Sequence, residues 1–156
     1  KALCSLEIRG GKLVFLTDLK PQAEEKPLVG GMPLVRRWRT HASVTGEPLK
    51  IGRKEFARGI GVRSYCKLSY ELGGGYSTFL AETGMDITAA SGAVCAWKVL
   101  GDGKELAAGE ARAGDAAKKV KAAVSGVKTL DLVCDYGPDQ DDAGDHFDWA
   151  EARLVK

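Results

Sequence analysis

A chain of 156 residues with a net charge of +2 is long enough to bury about 70% of its unfolded surface around one core. It is too nearly neutral to bind nucleic acid or a membrane through its overall field. Hydrophobic content of 44% and charged content of 28% describe an ordinary globule, and no apolar run approaches the ~18 residues of a membrane-spanning helix. Lys1 opens directly on structured-looking sequence with no leader pattern. The chain therefore reads as a mature or excised fragment, which is compatible with export.

Taken in order, almost every segment alternates with period two, and Gly or Asp punctuates the gaps. Residues 5–8 and 12–17 flank Gly10-Gly11 as a hairpin. Residues 20–33 carry Pro21, Pro27, Pro33 and Gly30-Gly31, the signature of an irregular connection. Residues 48–52 form a short strand. In Arg58-Gly59-Ile60-Gly61-Val62-Arg63 the glycines let a strand bend or pass close to a neighbour, because the third glycine and following helix of a phosphate loop are missing. Residues 67–71 place Leu68 and Tyr70 on one face, and 77–85 and 92–100 read as central strands. Asp102-Gly103 is a hairpin turn whose residues tolerate positive φ. Residues 115–124 have a helix-favouring composition. Yet Val120, Ala122 and Val124 alternate with Lys119, Lys121 and Ala123, so the segment reads as a strand. Residues 127–135 and 149–155 complete an all-β chain, an antiparallel sandwich or barrel in a single domain spanning 1–156.

Chemistry concentrates near the end, in Asp145-His146-Phe147-Asp148-Trp149, where two carboxylates, an imidazole and an indole fall in five residues. Such groups hold polyhydroxylated ligands. The preceding acidic loop places Asp139, Asp141 and Gly144 on a calcium-loop template, but Ala143 and Ala150 break it. A solvated turn or an irregular oxygen-rich metal site remains. No G-x-S-x-G elbow accompanies His146. Carboxylates at Glu82, Asp86, Asp145 and Asp148 include no pair singled out by spacing for glycoside hydrolysis. Arg36-Arg37-Trp38-Arg39 is too short a basic run, on a nearly neutral chain, to make a nucleic-acid surface. Trp38 is either a core anchor or a sugar-stacking platform. Cys4, Cys66, Cys95 and Cys134 contain no C-x-x-C and read as thiols, those at 95 and 134 buried in strands.

Several pieces carry a resemblance when taken in chain order. They are Leu16-Thr17-Asp18-Leu19, Thr45-Gly46-Glu47-Pro48-Leu49-Lys50-Ile51-Gly52, Phe56-Ala57-Arg58-Gly59-Ile60-Gly61-Val62, Leu68-Ser69-Tyr70-Glu71-Leu72, Tyr76-Ser77-Thr78-Phe79 with Gly84-Met85-Asp86, Asp102-Gly103-Lys104, and the run from Asp145 to Ala152. Together they resemble the NPCBM family of carbohydrate-binding modules over about residues 15–155, leaving 1–13 as an N-terminal extension or extra hairpin. The resemblance implies a galactose-binding-like β-sandwich of jelly-roll type with a structural calcium. It also implies a non-catalytic module recognising galactose-type or related glycans. Such a module is linked to a glycoside hydrolase or a bacterial surface protein and is extracellular, periplasmic or on the cell surface.

The expected ligand-facing residues are Trp38, Arg63, Asp145, His146 and Asp148. Asp18 and Glu151 are the expected metal or end-to-end contacts. Arg63 stands where the family usually has a histidine. That substitution is compatible with a shift toward an acidic sugar, since arginine offers a planar fork of donors. It is equally compatible with a structural or protein-interaction domain that has lost sugar binding.

Overall fold

The computed structural model describes residues 13–25, 38–140 and 142–156. The expected hairpin around Gly10-Gly11, Cys4, Asp141 and most of the proline-containing connection lie outside the described residues. Among the described residues thirteen strands follow in order: β1 (Leu13–Phe15), β2 (Gln22–Glu25), β3 (Trp38–Thr40), β4 (Leu49–Ile51), β5 (Lys54–Phe56), β6 (Gly59–Arg63), β7 (Cys66–Glu71), β8 (Thr78–Met85), β9 (Val94–Gly101), β10 (Lys104–Arg112), β11 (Lys118–Ala123), β12 (Thr129–Tyr136) and β13 (His146–Val155). A short 3-10 helix (Leu16–Asp18) follows β1. All pairings are antiparallel. The first sheet runs β11-β8-β13-β6-β3 with β1 alongside β13, the second runs β10-β9-β12-β7-β2, and β4–β5 is a separate hairpin. The all-β, antiparallel architecture expected from the alternation is observed, and of the sandwich and barrel alternatives it takes the two-sheet form that the family resemblance implies.

Between the sheets lie Leu16, Ile60, Val62, Leu68, Tyr70, Phe79, Leu130, Leu132, Phe147, Trp149 and Leu154, each at most 1% exposed. Trp149 is the centrepiece. It meets Trp97 edge-on at 5.9 Å and Phe147 at 5.1 Å between ring centroids, contacts worth roughly 0.5–1.5 kcal/mol each beyond their burial.

A third layer covers the outer face of the first sheet. There Leu49, Ile51 and Phe56 of the β4–β5 hairpin pack with Ala150 in a second apolar cluster. The Gly59-Ile60-Gly61 pattern exists for this layer. A Cβ on Gly61 would sit 2.5 Å from the Ala42 carbonyl oxygen, and one on Gly84 2.5 Å from Ile51 Cγ2. Only bare backbone lets the loop and hairpin lie this close.

Several segments differ from the alternation-based reading. Residues 22–25 are strand rather than connection. Gln-Ala-Glu-Glu has poor β propensity, but its backbone pairs with β7 and Glu24 meets Lys67 at 3.2 Å. Strand β10 escaped notice because a bulge between Glu105 and Ala107 breaks its alternation. Gly109, in the same strand, leaves room for the Trp97 ring, 2.7 Å from where a Cβ would stand. Strand β1 gives way to the 3-10 helix at Leu16, and β13 begins at His146, not Trp149. Residues 118–123 are strand, with Val120, Ala122 and Val124 buried. Cys134 stands opposite Cys66, and Cys66, Cys95 and Cys134 are buried with no disulfide joining them.

Candidate functional site

Antiparallel pairing of β6 with β13 sets Arg63 directly opposite His146, Val62 opposite Phe147 and Gly61 opposite Asp148. Opposed residues project to the same face. Phe147 and Trp149 therefore point into the core, while Arg63, His146 and Asp148 point outward. Trp38 is paired with Val62 and packs, half-buried, against the main core. It shares no face with Arg63 and His146, so its role is that of an anchor. The Trp149 indole, 0% exposed, is likewise unavailable to a ligand.

His146 is half-buried at the rim, and its orientation is fixed. Asp86 accepts the Thr88 hydroxyl at 2.7 Å and the Thr88 N–H at 2.9 Å on Oδ1, and the Lys50 N–H at 3.1 Å on Oδ2. With its proton committed to Asp86, the Thr88 oxygen can only accept from His146 Nδ1, 3.0 Å away. The ring therefore carries its proton on Nδ1, which leaves Nε2 as the acceptor nitrogen. Burial first, and the nearby Arg63 charge second, lower the His146 pKa below the ordinary histidine value, so the imidazole is neutral at pH 7. Arg63 is half-exposed, and its Nε donates to the Asp142 carbonyl at 3.3 Å.

Asp145 and Asp148 are both fully buried and do not face the solvent. Asp145 turns inward, accepting from Ser64 Oγ at 2.6 Å. Burial above all, with the charges of Asp139 and Asp142, pushes its pKa up to about 6 against the opposing Ser64 bond. Asp148 lies under the β4–β5 layer against Asp86. As a carboxylate it has no hydrogen-bond partner for either oxygen among the described residues. As an acid it donates to Asp86. Burial and the Asp86 charge push its pKa up to about 10. Burial works against the Asp86 charge too, but donors from Asp148, Thr88 and Lys50 outweigh it and hold its pKa below the usual value. The two carboxyl groups thus hold one proton at neutral pH.

Asp18 is exposed in the 3-10 helix. Glu151 sits at φ 53 in the bulge where β13 shifts register against β8, its N–H bonded to the Arg58 carbonyl at 3.0 Å. Two carboxylates fall short of the about six to eight oxygens calcium takes. No group of three or more potential metal-ligating side chains occurs among the described residues. The Glu151 carbonyl is already engaged by Arg153 Nη1 at 2.7 Å.

Sequence reasoning missed Asp86 and Thr88 as a unit, although Asp-x-Thr is the pattern of a carboxylate capping the N–H two residues on. It also missed Ile87 between them, the large hydrophobic residue left 56% exposed.

The NPCBM/NEW2 domain profile matches residues 12–155. A Renibacterium salmoninarum protein named as an endo-alpha-N-acetylgalactosaminidase is 30% identical over 112 residues, 70% of this chain and 7% of that protein. The chain thus spans only a small part of that relative. Among solved structures, the Clostridium perfringens ZmpB fragment holding CBM51-2, in complex with GlcNAc, and INT domains is similar at TM-score 0.80 and 27% identity, over 93% of this chain and 32% of that one. The CBM51 of Clostridium perfringens GH95, in complex with methyl-galactose, matches at TM-score 0.79 and 24% identity, over 92% of this chain and 99% of that one. At that identity the likeness is one of fold.

Proposed function

We propose a non-catalytic glycan-binding role for this chain, which belongs to the NPCBM/NEW2 domain family. The observation that carries the reading is the cross-strand pair at the rim, Arg63 opposite a neutral, half-buried His146 whose orientation Thr88 fixes. A donor fork next to an acceptor matches two adjacent hydroxyls of a pyranose, one accepting from Arg63 and the other donating to Nε2.

The ligand is a neutral hexopyranoside of galactose type or a related sugar. The GlcNAc complex of the 27%-identical ZmpB fragment supports a neutral sugar. Surroundings also weigh against an acidic one at Arg63, because Asp139 and Asp142 lie close enough to raise the Asp145 pKa. Absence of turnover is supported by Asp86, Asp145 and Asp148, each at most 1% exposed. A glycosidase needs two carboxyls reaching the scissile bond. The names of the relatives support a place within a larger glycan-acting protein. No helix among the described residues is long and apolar enough to cross a membrane.

A glycan array followed by calorimetry tests the reading. Saturable binding that Arg63→Ala and His146→Ala each weaken, without hydrolysis of chromogenic glycosides, supports it. A folded protein that binds nothing across a broad array overturns it in favour of a structural or protein-interaction domain.

A further inference from the structure

The paired core row between β7 and β12 ends in two cysteines. Tyr70 stands opposite Leu130, Leu68 opposite Leu132 and Cys66 opposite Cys134. Each of these side chains is at most 1% exposed and belongs to the core between the sheets. Cys95, on β9 at the other side of β12, is buried in the same core, but its partner on β12 is Tyr136. It therefore stands diagonal to Cys134 rather than opposite it.

Register decides which thiols can meet. Directly opposed residues of an antiparallel ladder have Cα atoms about 4.5 or 5.5 Å apart, according to their hydrogen bonding. Both separations fall within the roughly 4.4–6.8 Å that a disulfide spans. Diagonal neighbours are about 7–8 Å apart, which sets Cys95 beyond that reach. Buried cysteines also pack as small hydrophobes, but that role does not call for two of them at one register position. The pair lies at the root of the rim. Cys66 follows Arg63 and Ser64 where β6 passes into β7, and Cys134 precedes the loop that carries Asp142 and Asp145. Those two segments already meet where Arg63 donates to the Asp142 carbonyl and Ser64 to Asp145.

We infer that Cys66 and Cys134 are the site of an oxidative cross-link, a disulfide that joins β7 to β12 when the chain folds in the presence of a small-molecule disulfide such as oxidised glutathione. The thiolate of one cysteine attacks a sulfur of the glutathione disulfide, forming a mixed disulfide and expelling one glutathione thiolate. The thiolate of the other then attacks the protein sulfur of that mixed disulfide, closing the Cys66–Cys134 bond and expelling the second. Two protein thiols are oxidised, one glutathione disulfide is reduced, and the two protons lost by the cysteines pass to the two glutathione thiolates. Burial pushes the Cys134 thiol well above the usual cysteine range, and both cysteines are at most 1% exposed. The exchange therefore runs before the core closes, and the closed core preserves whichever state it encloses. Cys95 stays a thiol. The inference does not depend on glycan binding, because its readout is the bond itself.

The test refolds the full chain carrying Cys4→Ser, which leaves three cysteines, in a buffer rich in oxidised glutathione and, separately, in dithiothreitol. Iodoacetamide in denaturant then counts thiols by intact mass. One labelled cysteine is expected after oxidative refolding and all three after reduction, with non-reducing peptide maps joining Cys66 to Cys134. Cys95→Ala keeps the link, and Cys66→Ala or Cys134→Ala abolishes it. The linked protein should melt roughly 5–10 °C above its reduced form, a difference that Cys66→Ala removes. Protein folded first in reductant and then moved to the oxidising buffer should keep its three thiols far longer than protein refolded there. Three labelled cysteines or lasting glutathione adducts after oxidative refolding, or a map that joins Cys95 to either of the others, overturns the cross-link. So does a linked form that melts no higher than the reduced one, since the bond would then be at odds with the native register.

Discussion

Asp148 faces Asp86 beneath the β4–β5 hairpin, and the pair is stable because one member is an acid and the other a carboxylate. Asp148→Asn keeps a donor toward Asp86 and is expected to fold normally. Asp148→Ala strips Asp86 of that donor while leaving it buried, and should cost about 1–3 kcal/mol in urea denaturation at pH 7.

The same pair sets a pH dependence. The folded Asp148 keeps its proton up to about pH 10, whereas the unfolded chain releases it near the ordinary aspartate value. Between those limits the native state binds more protons, so this group's contribution to stability falls as pH rises. Stability measured from pH 5 to 9 should therefore decline in the wild type relative to Asp148→Asn. Parallel curves for the two proteins would contradict a shared proton.

Ser64 and Asp145 make a weaker version of this arrangement. Ser64→Ala removes a hydrogen bond to a buried carboxylate and should cost about 1.5–3 kcal/mol at pH 7. The loss should shrink at pH 5, below the raised Asp145 pKa of about 6. Thermal melts at the two pH values read the difference directly.

At the rim, Thr88→Val should weaken neutral-sugar binding while leaving the fold intact, because it releases the His146 ring from its set orientation. Wild-type binding should hold from neutral pH upward and fade below the ordinary histidine range, where protonation turns Nε2 from acceptor to donor. In Thr88→Val that pH midpoint should move, and calorimetry across pH 5 to 8 would show it. A purely structural role for Thr88 predicts no movement.

Glu151 holds a left-handed backbone that suits glycine. Glu151→Gly should raise stability by roughly 0.5–1 kcal/mol if the bulge is its whole role. A drop in melting temperature that calcium normally prevents would instead point to a metal at Asp18 and Glu151.

Much of this fold was legible because its physics is local. Buried Val120, Ala122 and Val124 beat a helix-favouring composition through alternation alone, and Asp102-Gly103, at φ 50 and 83, turns as its residues demand. Arg63 and His146 were each legible as polar candidates, while the strand pairing that sets them opposite one another is visible only in the fold. What stayed hidden depends on distant covering. Asp148 looked like a ligand group because nothing near it in sequence announces the hairpin at residues 49–56 that buries it. Gly61 and Gly84 were the one trace of that cover, written as missing side chains. Trp149 was misjudged by chemistry despite alternation, since a residue two places from the inward Phe147 must share its side.

The hairpin layer has a further consequence for recognition. It rides over Asp148 and Ala150, midway along β13, with His146 at one end of the strand and Arg153 toward the other. Seven residues of extended chain separate those ends by roughly 20 Å. A mono- or disaccharide held at the His146 end therefore stays clear of the hairpin. A longer oligomer meets the ridge, so affinity should stop rising with ligand length once the chain reaches the crest.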